Sequence, residues 1–257
     1  MKRLLFCFVA LIAVFFSADS AFCAENNVNQ IFKSANSFYQ EAKYDQAILE
    51  YEKVINQGLE SGNLYYNLAN CYFKEGELGK AVLNYERAKT LMPADSDLKS
   101  NYDYARSLLN LGSNEFYGKH WVRSLDRLFS AWDINSLTIS LSLLWAIVFL
   151  ALILGLFFEK VKRASKVILP LTAVLFLALF ISFNRKITYL NNSAVVISQE
   201  AQSRFEPLES ATTYFTLGQG SLVEVIETTP SWAKIRRPDG KIGWINQSSL
   251  SLVFGEK

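Results

Sequence analysis

Histidine is nearly absent from this chain: His120 is the only one in 257 residues. Cysteine is scarce as well. Of three cysteines, Cys7 and Cys23 lie in or beside an N-terminal apolar segment, which leaves Cys71 alone. One thiol forms no internal disulfide, so the folded parts must rely on packing, and Cys71 is expected as a small buried apolar side chain. These shortages leave zinc sites, Cys/His pairs and Ser/His/Asp triads without support. Gly218-Gln219-Gly220 lacks the following Lys-Ser/Thr of a phosphate loop. The acidic residues Glu41, Asp45, Glu50 and Glu52 are scattered as on a solvated surface. No cofactor and no enzymatic activity are expected. Charge of one sign is lacking too: the net charge is +2, with no dense basic patch, which argues against nucleic acid.

Charge disappears altogether between Asp133 and Glu159, and again over Val167–Phe183. The first gap is long enough for a helix to cross the ~30 Å hydrocarbon core of a bilayer, and the second lies at the short end of that range. Transmembrane helices are predicted over 135–158 and 167–184, joined by a basic loop over 159–166. Lys160, Lys162, Arg163 and Lys166 crowd that loop, against the sparser Lys119, Arg123 and Arg127 before the hairpin and Arg185 and Lys186 after it. Positive loops favour the cytoplasmic face. Both polar parts are therefore expected outside the cytoplasm. Met1-Lys2-Arg3 and the apolar Leu4–Phe16 read as a signal peptide over 1–23. Ala18-Asp19-Ser20 and Ala21-Phe22-Cys23 both offer cleavage positions, and an uncleaved anchor leaves the topology unchanged.

Between these segments the chain repeats itself. Ala35, Phe38, Ala42, Tyr44, Ala47, Tyr51 and Val54 recur 34 residues later as Ala69, Tyr72, Gly76, Leu78, Ala81, Tyr85 and Ala88. The period and residues resemble tetratricopeptide repeats, which implies an α-helical solenoid over 24–114. Its repeats would be 28–61 and 62–95, with Pro93 where such repeats commonly carry proline and a capping helix at 96–111. Leu98, Tyr102, Ala105 and Leu109 give that helix an apolar face, while Asp103 stands where a third repeat would carry Ala.

The other face of each first helix carries Phe32, Asn36, Tyr39 and Gln40, then in register Tyr66, Asn70, Phe73 and Lys74. The resemblance implies a concave groove for extended peptides, with Asn36 and Asn70 bonding the peptide backbone. Phe32 and Ser100 replace basic residues of the subclass that grips a terminal carboxylate. The alternative is a structural stack whose asparagines merely face water.

Trp121, Val122, Leu125, Leu128, Phe129 and Trp132 form an apolar stripe opposite Lys119, Arg123, Asp126 and Arg127. This predicts an amphipathic helix over 118–132, lying in the headgroup layer or packed on the repeats. His120 is expected as a headgroup contact.

The C-terminal stretch turns to β-branched residues. Strands are predicted at Ala194–Ser198, Thr213–Leu217, Leu222–Thr228, Trp232–Arg236, Ile242–Ile245 and Ser249–Val253, after a short polar linker. Arg204-Phe205-Glu206-Pro207, Trp232-x-Lys234-Ile235 and Asp239-Gly240-x-x-Gly243-Trp244-Ile245 resemble a bacterial SH3 domain, implying a small all-β barrel over 193–255. Such domains bind peptides or peptidoglycan, or pack against neighbours. Arg204, Phe205 and Trp232 are the candidate contacts, and Trp244 is expected in the core.

The whole order is that of a multidomain membrane protein: TPR solenoid, two-helix transmembrane hairpin, SH3-like barrel. It resembles the BatE-type members of the bacterial Bat (aerotolerance) family. That resemblance implies a non-catalytic inner-membrane scaffold for membrane-anchored proteins with von Willebrand A domains, linked to an MoxR-type ATPase and to envelope or oxygen-stress tolerance. A cell-wall anchor or sensor holding peptidoglycan through its SH3 domain is the competing reading.

Overall fold

The computed structural model describes residues 28–111 and 128–255. The signal peptide and most of the amphipathic helix expected at 118–132 lie outside the described residues. Five helices stack first: α1 (28–40), α2 (Tyr44–Asn56), α3 (Gly62–Lys74), α4 (Leu78–Leu91) and α5 (Ser96–Leu108). Small residues let the helices approach. Ala35, Ala47, Ala69, Ala81 and Ala88 are fully buried, with Tyr51 and Tyr85 filling the space beside them. Side-chain oxygens start two of the helices: Ser61 accepts from the Leu64 amide at 3.1 Å and Asp95 from Leu98 at 2.8 Å. The turns ending α1 and α3 share one geometry. Lys43 N–H bonds Phe38 O and Glu77 N–H bonds Tyr72 O, both at 2.9 Å, across left-handed residues Ala42 (φ 57°) and Gly76 (φ 79°).

The hairpin follows. Helix α6 (Ile134–Phe157) is capped by Asp133, which accepts from Ser136 N–H at 3.0 Å, and α7 runs from Glu159 to Asn192. Both are long and apolar enough to cross a membrane: α6 has mean hydropathy 2.7, and 168–192 of α7 has 1.8. Apolar side chains such as Trp145 and Phe149 point outward, both at least 60% exposed. The helices meet through Leu137 and Leu179, with Phe129 wedged beside them.

Two expectations change here. Residues 159–166 are not a loop but the first turns of α7, so Phe158 alone joins the two helices. A run rich in Lys and Arg does not disfavour helix, for which both residues have good propensity. The polar linker after Lys186 is also absent, because α7 continues to Asn192 and the next residue opens a strand.

That strand begins a seven-stranded antiparallel sheet: β1 (Ser193–Val196), β2 (Glu200–Arg204), β3 (Thr213–Gly218), β4 (Leu222–Thr228), β5 (Trp232–Arg236), β6 (Ile242–Asn246) and β7 (Leu250–Leu252). Its order is β3-β2-β6-β5-β4-β1-β7, consistent with an SH3-like domain. The edge strands β3 and β7 do not pair, so the expected barrel is an open sheet. β2 was not among the predicted strands. Its alternation is visible only as burial of Ala201 and Ser203, and pairing to β3 brings it into the sheet.

The sheet packs on the repeats rather than standing apart. Val195, Leu222 and Val253 share one buried cluster with Tyr65, Leu68 and Val82. Phe254 meets the Tyr65 ring edge-on at 6.0 Å. Arg87 of α4 donates to the carbonyls of Val253 (2.7 Å) and Leu252 (3.1 Å). Gly79 eases this approach, since a Cβ there would sit a tight 3.2 Å from the Ile197 carbonyl oxygen. Helix α7 joins the same contact. Tyr189 of α7 donates to Glu86 Oε2 at 3.0 Å, and Tyr102 of α5 donates to the other oxygen of that carboxylate, which is 1% exposed.

Candidate functional site

Helices α1, α3 and α5 lie side by side, and hydrogen bonds stitch their outer face. Asn67 of α3 donates to Asn36 of α1 at 3.1 Å. One repeat on, Asn101 of α5 donates to Asn70 at 3.3 Å and to the Tyr66 hydroxyl at 2.7 Å. The face carries Phe32, Asn36, Tyr39 and Gln40 on α1 and Tyr66, Asn70, Phe73 and Lys74 on α3. Gln40 and Lys74 are exposed and the other six half-buried. Tyr104 of α5, 58% exposed, extends the row with its ring 5.7 Å from Phe73. The sheet domain docks on α4, leaving this aromatic face uncovered by it.

The asparagines are not simple surface amides. Tyr51 donates its hydroxyl to Asn36 Oδ1 at 2.5 Å, and Tyr85 does the same to Asn70 Oδ1 at 2.6 Å. Both tyrosine rings are essentially buried, and burial raises their hydroxyl pKa values above the ordinary range. Each Asn oxygen thus receives a hydroxyl and an amide hydrogen, which uses both its lone pairs and orients the carboxamide. Asn36 and Asn70 therefore also bind the stack together, and their oxygens neither face water nor remain open to a peptide. Sequence reasoning overlooked Tyr51, Tyr85, Asn67 and Asn101 as polar partners, although all four keep the 34-residue period. Cys71 sits below this face, buried, with its thiol pushed up to about 12 mainly by burial and secondarily by Glu75. A thiol so shifted is unreactive near neutrality.

The sheet domain distributes its candidate contacts differently from expectation. Arg204 donates to the Ala211 carbonyl at 2.9 Å and to that of Glu209, so it ties down the 205–212 loop. Phe205 is exposed (58%), as expected, and lies against the exposed Tyr214 ring at 4.5 Å. Trp232 is buried instead of exposed, at the start of β5 where Thr229 N–H bonds back to its carbonyl. Trp244 is half-exposed instead of core. In β6 it alternates with the inward Gly243 and Ile245, and Lys234 of the paired strand stands 5.5 Å over its ring. Tyr214 escaped the sequence reading because a tyrosine in a strand ordinarily marks packing.

Two families match parts of this chain. Residues 62–95 match the tetratricopeptide repeat and residues 204–251 the bacterial SH3 domain. No curated protein matches the chain. The repeat match coincides with the second of the two repeats deduced from periodicity, α3 and α4 with their flanking turns. The SH3 match begins in β2 and ends in β7. Both modules are of kinds that typically bind rather than catalyse, and they imply protein partners.

Proposed function

We propose that the chain is a non-catalytic membrane scaffold that holds other proteins in the groove formed by α1, α3 and α5. The observation that carries this reading is the contrast between the two sides of the repeats. One side is sealed by the sheet domain and by Tyr189 of α7, while the other carries a row of half-buried aromatic rings and amides edged by the exposed Gln40, Lys74 and Tyr104. Helices α6 and α7 anchor the body in the bacterial inner membrane, with the repeats and SH3 domain outside the cytoplasm. The likeness to the Bat family supports partners that are themselves membrane-anchored, of the von Willebrand A type, in a complex with an MoxR-type ATPase serving envelope or oxygen-stress tolerance. Photo-crosslinking residues placed at Gln40 and Lys74, and at Leu49 of α2 as an off-groove control, test this in native membranes. Covalent adducts should form from Gln40 and Lys74 and not from Leu49. Adducts from Leu49 alone, or none from the groove, would sink the reading.

A second reading is favoured by one observation, the exposed Phe205–Tyr214 pair. Paired rings on a bacterial SH3 surface can stack on sugars or apolar peptide stems, which fits peptidoglycan binding. Purified sacculi should then retain the solubilised chain, and Phe205→Ala with Tyr214→Ala should release it. Equal retention of wild type and variant removes this reading.

A further inference from the structure

The groove carries a chemical bias that narrows its ligand. The carboxamide oxygens of Asn36 and Asn70 are both occupied from below, each by a tyrosine hydroxyl and a neighbouring asparagine. Their NH2 groups donate to no described residue. Towards the groove these amides are donors only. An extended β-type segment would present N–H groups as well as carbonyls and would find no acceptor in either asparagine. A proline-rich segment presents carbonyls with few or no N–H groups. The rings support the same choice. Phe32 and Tyr66 stand one repeat apart, as do Tyr39 and Phe73, with Tyr104 beyond them. Grooves lined by aromatic rings suit pyrrolidine rings.

Spacing agrees. Packed helices lie ~8–10 Å apart, so equivalent positions on neighbouring first helices are expected to repeat at about that interval. A polyproline II chain rises ~3.1 Å per residue with three residues per turn, placing equivalent carbonyls about 9 Å apart. A β-strand repeats the same face at about 7 Å and falls out of register with the helices. The groove is also poor in charge, with Lys74 the only charged member among the eight. We infer that the groove selects proline-rich segments in the polyproline II conformation, one helical turn of ligand per repeat. This deepens, and rests on, the groove reading above.

The test uses the full chain in lipid nanodiscs, with labelled decaproline and a Gly-Ser peptide of the same length followed by fluorescence anisotropy. Decaproline should bind measurably and the Gly-Ser peptide should not. Asn70→Asp keeps an oxygen for Tyr85 and Asn101 but replaces the groove-facing donor by an acceptor. It should weaken decaproline roughly tenfold, the size of one lost hydrogen bond. Tyr104→Ala removes an exposed ring whose loss does not threaten the fold, so it carries the test alone should Asn70→Asp melt early. A similar weakening is expected from it. Equal affinity for the two peptides, or decaproline binding unmoved by either variant, overturns the inference. If that occurs while Asn70→Asp still abolishes the crosslinks from Gln40 and Lys74, the groove stands as a protein site and only the proline preference falls. If Gln40 and Lys74 give no adducts in the unmodified chain, both fall.

Discussion

Asn36 and Asn70 serve two neighbours at once, and their removal should be felt in the stack before it is felt by any partner. Truncating either to Ala strands a buried tyrosine hydroxyl, a loss of about 1–3 kcal/mol per site. The double variant Asn36→Ala/Asn70→Ala should therefore melt lower by several degrees, while Gln40→Ala and Lys74→Ala, both exposed, should not. Unchanged melting of the double variant would show that the Tyr51 and Tyr85 bonds contribute nothing. Ala42 offers the opposite case. It holds a left-handed φ of 57° where the equivalent turn has Gly76 at 79°. A side chain in that region is strained relative to glycine by about 1 kcal/mol, so Ala42→Gly should raise the melting temperature by about 2–4 °C. A lower melting temperature would count against strain there. Period alone brought out the asparagines and aligned Ala42 with Gly76. It could not say which way an amide oxygen points, because that depends on a tyrosine supplied by the next helix.

At the scale of elements, the repeats are held by neutral, buried acids. Burial raises the hydroxyl pKa of Tyr51, Tyr65, Tyr72 and Tyr85 above the ordinary 10.0, and that of the Cys71 thiol from 9.0 to about 12. For Cys71 the unfolded chain ionises first as pH rises, so it binds fewer protons than the native state. Stability is then intact below pH 9 and declines from there towards about 12, with the tyrosines adding to the loss above pH 10. Melts of the full chain in detergent from about pH 8 to about pH 11 should show this fall, with its onset delayed in Cys71→Ala. A flat profile would contradict the burial of these groups. Hydropathy marked α6 closely but only the middle of α7, which begins at Glu159 and runs to Asn192, because charged and polar turns extend that helix at both ends. It said nothing about the conformation of residues 159–166, because lysines and arginines report which side of a membrane they favour and not whether their backbone is helical. Strand β2 was equally opaque: Glu200-Ala201-Gln202-Ser203-Arg204 has no β-branched residue and becomes a strand by pairing with β3.

At the scale of the molecule, repeats, hairpin and sheet share one joint, where α4, α5, α7 and β1 meet around Glu86, Arg87 and Val195. Periodicity cannot reveal such a joint, since Tyr189 and Glu86 are 103 residues apart and Arg87 and Val253 166 apart. Because both polar parts share this joint, they must lie on the same side of any membrane the hairpin crosses. In a Cys71→Ser background, an impermeant maleimide applied outside should label Ser100→Cys and Ser231→Cys, and leave Ser165→Cys untouched until the inner membrane is opened. Labelling of Ser165→Cys in intact cells would reverse the proposed orientation.

The joint also sets a timetable. Synthesis delivers the repeats first, yet the α4 surface that they present stays uncovered until residues 189–254 emerge. Those residues follow α6 and α7 along the chain, so in a membrane-spanning chain they can reach α4 only after the hairpin has been threaded and its end released on the same side. Until then Glu86 waits without Tyr189, and the apolar face around Tyr65 and Val82 waits without Val195 and Val253. Completion of the soluble body thereby reports that insertion has succeeded. A chain in which only one of the two helices inserts has its polar parts on opposite sides and is left with that face bare, in the form that chaperones and proteases recognise.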